Sequence, residues 1–145
     1  MAKWKGHAFG GVDGQDIYLS YLANRSKRYY KDISSASLLA NCKLLGMDCS
    51  NFVFGHNLLN PDYVIVENEP KTGKIGIIEY EVADFVPRSW IRTQFNVDAE
   101  ATQRYPIEWR NWAGKIQDKL EANGFDSVSE AFWKWKEGTI SKQCP

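Results

Sequence analysis

Phe54-Gly55-His56-Asn57-Leu58-Leu59-Asn60-Pro61-Asp62-Tyr63-Val64-Ile65-Val66, followed after a turn by Gly76-Ile77-Ile78-Glu79-Tyr80-Glu81-Val82-Ala83, is the stretch that organises this chain. Tyr63-Val64-Ile65-Val66-Glu67 is rich in β-branched residues and reads as a strand. Lys74-Ile75-Gly76-Ile77-Ile78-Glu79-Tyr80 reads as its partner. Between them Asn68-Glu69-Pro70-Lys71-Thr72-Gly73 is dense in turn formers, so the two strands make an antiparallel hairpin with a loop of about six residues. Phe52-Val53-Phe54 is a further short apolar run just ahead of them.

Outward from this centre the pattern becomes helical. Ser34 or Ser35 can cap a helix whose apolar face is Leu38, Leu39, Leu44 and Leu45, with Gly46 as its stop. Further upstream, Gly10-Gly11-Val12-Asp13-Gly14 is a Gly-rich turn, and Ile17, Tyr18, Tyr21 and Leu22 fall at helical spacing. Arg25-Ser26-Lys27-Arg28-Tyr29-Tyr30-Lys31 interleaves basic and aromatic residues and reads as a solvated face rather than a phosphate contact. Downstream, Pro106 suits a first helical position. Trp109, Trp112, Ala113, Ile116 and Leu120 then form a stripe for burial, and Gly124 ends it. Ser127-Val128-Ser129-Glu130 matches a capping box for a last helix carrying Phe132, Trp133 and Trp135, whose rings read as core. The expected architecture is one α+β domain over residues 1–145, mostly helices around a short antiparallel hairpin.

Composition sets the class. The chain has 145 residues, long enough to hide about two-thirds of its unfolded surface without staples. Eighteen Lys and Arg balance eighteen Asp and Glu, which argues against nucleic-acid binding by bulk charge. No apolar run approaches the roughly 18 residues of a membrane span, and the polar start shows no leader. Cys42, Cys49 and Cys144 form no Cys-x-x-Cys and read as free thiols of a reducing compartment, the cytoplasm. His7 and His56 are too few for a zinc site, and no metal or cofactor is expected. Aromatic residues are unusually frequent at 14%, with six Trp, which is ample material for an apolar pocket.

The central stretch resembles the catalytic loop and metal-binding strand of aminoglycoside phosphotransferase-like proteins, above all their fungal branch. Those proteins have a protein-kinase-like fold, and their pattern runs His-Gly/Asn-Asp-Leu-x-Pro-x-Asn, two strands, then Ile-Ile-Asp-Trp-Glu-x-Ala-Gly. Gly10 to Gly14, Pro87-Arg88-Ser89-Trp90-Ile91-Arg92-Thr93 and Glu108-Trp109-Arg110 share the flavour of that branch, so the likeness extends over nearly the whole chain. The resemblance implies a kinase-like C-lobe. It also implies His56, Asn57, Asn60 and Glu81 in their family places.

The departures decide what the resemblance can mean. Phosphoryl transfer needs an Asp to orient the acceptor hydroxyl, and an Asn and an Asp to hold magnesium. At those positions stand Leu58, Tyr63 and Glu79. No Gly-x-Gly-x-x-Gly loop or Val-Ala-Ile-Lys strand precedes the loop, so the small ATP-gripping N-lobe is expected to be absent. Lys71-Thr72-Gly73-Lys74 is not a Walker motif either. ATP-dependent transfer is therefore not expected.

A cleft floor made more apolar by Leu58 and more aromatic by Tyr63 fits an apolar guest better than a phosphate. The expected function is cofactor-free conversion of an apolar small molecule, by intramolecular (Diels–Alder-type) cyclisation or by isomerisation. The resemblance implies a terpenoid or polyketide substrate of secondary metabolism. Candidate catalytic residues are His56, Tyr63, Glu79, Glu81 and Arg92; candidate lining residues are Asn57, Leu58, Asn60, Tyr80, Trp90 and Phe95. His56 either serves the pocket or ties the loop backbone. Tyr63 and Tyr80 are pocket groups or ordinary strand residues. Glu79 and Glu81, at i and i+2, share a strand face, where one raises the other's pKa or bonds backbone amides. Arg92 donates to a substrate carbonyl or pairs with one of those glutamates. The alternative is a non-catalytic pseudokinase-like interaction module that binds a partner protein, or a second copy of itself as a homodimer, through the surface that the missing N-lobe would have covered.

Overall fold

The structure, a computed structural model, describes residues 5–6, 8–23, 32–59, 61–68, 71–101 and 107–138. Within them the chain is a mixed α+β fold with four helices and two antiparallel sheets. The strands are β1 (Lys5–Gly6), β2 (Gly10–Gly11), β3 (Phe52–Gly55), β4 (Val64–Val66), β5 (Ile75–Ile77) and β6 (Asp84–Pro87). The helices are α1 (Ser35–Leu44), α2 (Arg88–Ala101), α3 (Ile107–Ala122) and α4 (Ser129–Lys136).

The larger sheet runs β1-β3-β6-β2. Every residue of β3 is buried, as an apolar strand covered on both sides requires. It pairs antiparallel with β6 in the register Phe52↔Pro87, Val53↔Val86, Phe54↔Phe85 and Gly55↔Asp84. The smaller sheet is the hairpin β4–β5, with Val64 opposite Ile77 and Val66 opposite Ile75. It is not the centre about which the helices pack. Ile65, Val66 and Ile75 on it are all more than half exposed. The core sits instead between the larger sheet, α1, α2 and α4, where Leu38, Val86, Trp90 and Phe132 are almost completely enclosed.

Local chemistry explains the helix limits. Ser34 caps α1, its Oγ accepting the Ser37 N–H at 3.3 Å. The helix ends in a Schellman turn: Gly46 sits at φ 80°, and Met47 N–H reaches the Cys42 carbonyl at 3.0 Å. Gly124 closes α3 in the same way, with Phe125 N–H on the Leu120 carbonyl at 3.0 Å. The stripe on α3 is only partly enclosed: Ala113 is buried, Trp112, Ile116 and Leu120 are half-buried.

Three local expectations are corrected. The capping box at Ser127 does not form. Val128 is the cap, its N–H donating to Thr93 Oγ1 at 2.9 Å, while Ser127 Oγ is taken by Asn96 and Ser129. Glu130 turns outward to Lys134. The segment around Ile17 to Leu22 is not a helix. Ile17 and Leu19 are buried and Tyr18 between them is exposed, an alternation of extended chain. Side chains hold this segment: Asn41 Nδ2 donates to the Leu22 carbonyl at 2.8 Å and Lys136 Nζ to the Ala23 carbonyl at 3.2 Å. Finally, the second strand of the hairpin, read over 74–80, spans only Ile75–Ile77. The basic run 25–31, Pro106, His7 and Cys144 lie outside the described residues.

Cys42 is buried and Cys49 half-buried, both as free thiols. Burial raises the pKa of each, so both stay protonated and inert. Among the described residues no helix is long and apolar enough to cross a membrane.

Candidate functional site

β3 ends at Gly55 beside the start of β6 at Asp84, and the chain turns sharply between His56 and Leu59. Asn57 makes that turn in the left-handed region, at φ 60°, which Asn tolerates better than most residues. Its side-chain NH2 explains why the turn holds. It donates to the Gly55 carbonyl at 3.3 Å, the Val82 carbonyl at 3.0 Å and Asp84 Oδ2 at 3.3 Å. Two of these partners are carbonyls, which only accept, so the nitrogen end of the amide faces this way.

His56 is 5% exposed, and one of its ring nitrogens, Nε2, lies 2.8 Å from the Ile78 carbonyl. A carbonyl cannot donate, so Nε2 carries the proton and Nδ1 presents a bare lone pair in the neutral ring. The ring is flanked by Tyr80, with centroids 5.0 Å apart, and by Tyr63 at 6.1 Å. Tyr80 also stacks on Phe54 at 6.5 Å. Asp84 is buried behind Asn57. Burial, with a smaller push from Asp13, drives its carboxyl up to about 7, against the lowering effect of the Asn57 hydrogen bond.

Facing this loop is a pocket of about 230 Å³. One wall is Phe54, Gly55, His56, Asn57 and Leu59; the other is Ile91, Gln94 and Phe95 of α2 with Ile116 and Leu120 of α3. The walls are mainly apolar. Gly55 keeps this space open: a Cβ on it would stand 2.5 Å from Ile91 Cδ1, the far end of a flexible side chain, and 3.2 Å from Asn57 Oδ1. Two polar atoms of the lining residues, His56 Nδ1 and Asn57 Oδ1, are buried without a hydrogen-bond partner.

The structure gathers some of the expected residues and disperses others. His56, Asn57 and Phe95 line the pocket, while Tyr63 and Tyr80 support the His56 ring. Leu58 is 42% exposed and lies outside the lining; its neighbour Leu59 takes that place. Glu79 and Glu81 are exposed. The strand ends at Ile77, and Glu79 adopts φ 60°, so strand alternation does not bring the two carboxylates together. Arg92 pairs with Glu121 at 2.8 Å and donates to the Phe125 carbonyl at 3.3 Å, tying α2 to the end of α3 rather than to either glutamate. Trp90 is wholly buried against Phe132, so it has no face for a guest. Asn60 lies outside the described residues.

Asp84, Ile91 and Gln94 were not among the expected residues. The signal for Asp84 is a lone carboxylate inside the apolar run Val82-Ala83-Asp84-Phe85-Val86; Ile91, Gln94 and Phe95 stand at i, i+3 and i+4. The positions that hold magnesium in the resembling family do not suit it here. Tyr63 is a neutral phenol, Glu79 faces solvent, and no group of three His, Cys, Asp or Glu able to hold a metal occurs among the described residues. No protein-family model, curated protein or solved structure matches the chain.

Proposed function

We propose that this chain is a kinase-like C-lobe that binds an apolar small molecule and converts it without a cofactor, by cyclisation or isomerisation, and no longer transfers phosphate. The observation that carries this reading is the pocket itself: apolar walls from α2 and α3 facing β3 and its following loop, with His56 and Asn57 among the lining residues. The C-lobe part of this reading rests on the sequence resemblance carried by Phe54 to Ala83. Walls of fixed shape hold a flexible guest in one reactive conformer, the main resource of a site without metal or cofactor.

In an isomerisation His56, whose ring lines the pocket, is the group that takes a proton from one position of the guest and returns it at another, leaving the enzyme unchanged. The imidazolium formed between these steps keeps its Nε2–H on the Ile78 carbonyl, which stabilises the charge and fixes the ring. In a cyclisation the same walls act by shape alone. The volume is smaller than the roughly 300–1,000 Å³ of drug-sized ligand sites, so the guest is compact or extends into solvent.

Incubation with short polyenes and conjugated enols, followed by mass spectrometry, tests the proposal. Saturable product formation is expected with no ATP or metal added, at least tenfold slower in His56→Gln if His56 carries the proton. Saturable heat on titration with ATP and magnesium would overturn it. A second reading, the interaction module, draws on the apolar residues Ile65, Val66 and Ile75, which the hairpin leaves exposed. A stable homodimer by light scattering, with no small-molecule turnover, would favour it.

A further inference from the structure

We infer that β5 is the docking edge for a second copy of this chain, which pairs with it antiparallel about Gly76 and joins the two hairpins into one four-stranded sheet. This rests on the second, interaction reading above, names its partner and its edge, and does not depend on the pocket.

The hairpin β4–β5 is a two-stranded sheet, and among the described residues no further strand pairs with either of its edges. An unpaired edge is a template for another strand. Ile78 N–H donates to the Tyr63 carbonyl at 3.1 Å, inward across the hairpin. Backbone groups alternate in direction along a strand, so the N–H and C=O of Ile75 and Ile77 point away from β4. No Pro or charged residue interrupts Ile75-Gly76-Ile77-Ile78, although such residues are the usual means of blunting an edge. In a pairing centred on Gly76, Ile75 of each copy stands opposite Ile77 of the other, and each such pair exchanges both its backbone bonds. Gly76 then faces its own copy at the close, non-hydrogen-bonded position, where opposite Cα atoms come within about 4.5 Å. Val64, Val66, Ile75 and Ile77 share one face of the hairpin, and Val66 and Ile75 are each 64% exposed. The same pairing sets them in continuous apolar rows: Val66 and Ile75 of one copy, then Ile77 and Val64 of the other.

Charge selects this edge and this partner. Lys71 and Lys74 precede β5, Glu79 and Glu81 follow it, and all four are exposed. Antiparallel self-pairing brings the basic end of each copy beside the acidic end of the other. The β4 edge is flanked by Asp62 and Glu67, so the same operation there sets acid against acid.

Sedimentation velocity on the full chain between about 10 μM and 1 mM should show a monomer–dimer equilibrium, weak because the contact is one strand wide. Over that range amide exchange should slow at Ile75 and Ile77. The double variants Lys71→Glu with Lys74→Glu, and Glu79→Lys with Glu81→Lys, should each dimerise at least about tenfold more weakly than the wild type, and an equimolar mixture of the two should restore the dimer. A wild type that is monomeric at about 1 mM overturns the inference and leaves the pocket reading standing. A dimer that persists in both variants lies on another surface, which overturns this edge and keeps the interaction reading. A mixture that stays monomeric refutes the antiparallel pairing.

Discussion

His56 and Ile78, 22 residues apart, are joined by a 2.8 Å hydrogen bond from the imidazole Nε2 to the backbone carbonyl. That one bond fastens the chain leaving the hairpin to the loop leaving β3, and it also fixes which ring nitrogen carries the proton in the neutral ring. Replacing the ring by an apolar side chain strands a carbonyl. His56→Leu should therefore lower unfolding free energy by about 1–3 kcal/mol in urea titrations. Amide exchange should rise most between Ile77 and Tyr80. An unchanged midpoint would mean that the bond is dispensable.

Asp84 predicts a pH dependence with a definite sign. Its folded pKa, about 7, lies above its ordinary 3.8, because burial disfavours the charged form. The folded state thus holds this proton more tightly than the unfolded chain. The associated stability is complete below about pH 4 and is lost as pH rises through 7. Asp84→Asn cannot ionise and keeps an oxygen for Asn57. Urea midpoints should fall from pH 5 to pH 8 in the wild type more steeply than in the variant. Parallel curves would refute the assignment.

Gly55 tests the pocket with a single methyl group. The added Cβ meets the mobile end of Ile91, so Gly55→Ala should fold, at a cost of about 1–3 kcal/mol from overpacking. It fills the space shared with Asn57 Oδ1, so the loss of ligand affinity should exceed the effect of mild destabilisation. Trimming the clash with Ile91→Val in the same chain should recover stability. A variant that binds as well as the wild type would place the guest elsewhere.

Arg92 and Trp90 should behave as structural residues. Arg92→Met breaks a pair whose Glu121 partner is largely exposed, so it should cost only about 0.2–1 kcal/mol for the pair and leave turnover unchanged. Trp90→Ala empties a fully buried site and should cost about 3–5 kcal/mol by chemical denaturation. A kcat effect for Arg92→Met without a stability change would return that residue to the site.

What could be read in the sequence was what local chemistry decides. Ser34, Gly46 and Gly124 mark helix ends through contacts within a few residues, so α1 and the end of α3 were legible. The antiparallel pairing of β4 with β5 was legible in their β-branched runs. The failures are tertiary. Ser127 had a capping pattern, but Thr93 and Asn96 on α2 rearrange its surroundings. Ile17 and Leu22 had helical spacing, yet the chain there closes short turns, Leu19 N–H on the Ile17 carbonyl and Leu22 N–H on the Leu19 carbonyl, and Asn41 and Lys136 anchor its end. Leu58 and Leu59 are chemically equivalent in sequence, and only the Asn57 turn decides which faces the pocket. His56 and Asn57 were visible as candidates, but their proton positions depend on Ile78 and Val82, far along the chain.

The tie between Lys136 and Ala23 spans 113 residues. A ribosome delivers Ala23 113 residues before Lys136, so the apolar segment ahead of Ala23 stays unlatched from this partner until α4 has emerged. Ile17, Leu19 and Leu22 are then sticky cargo in the interval. Slowing synthesis between α1 and α4 should therefore prolong the exposure of this segment and raise its demand on chaperones.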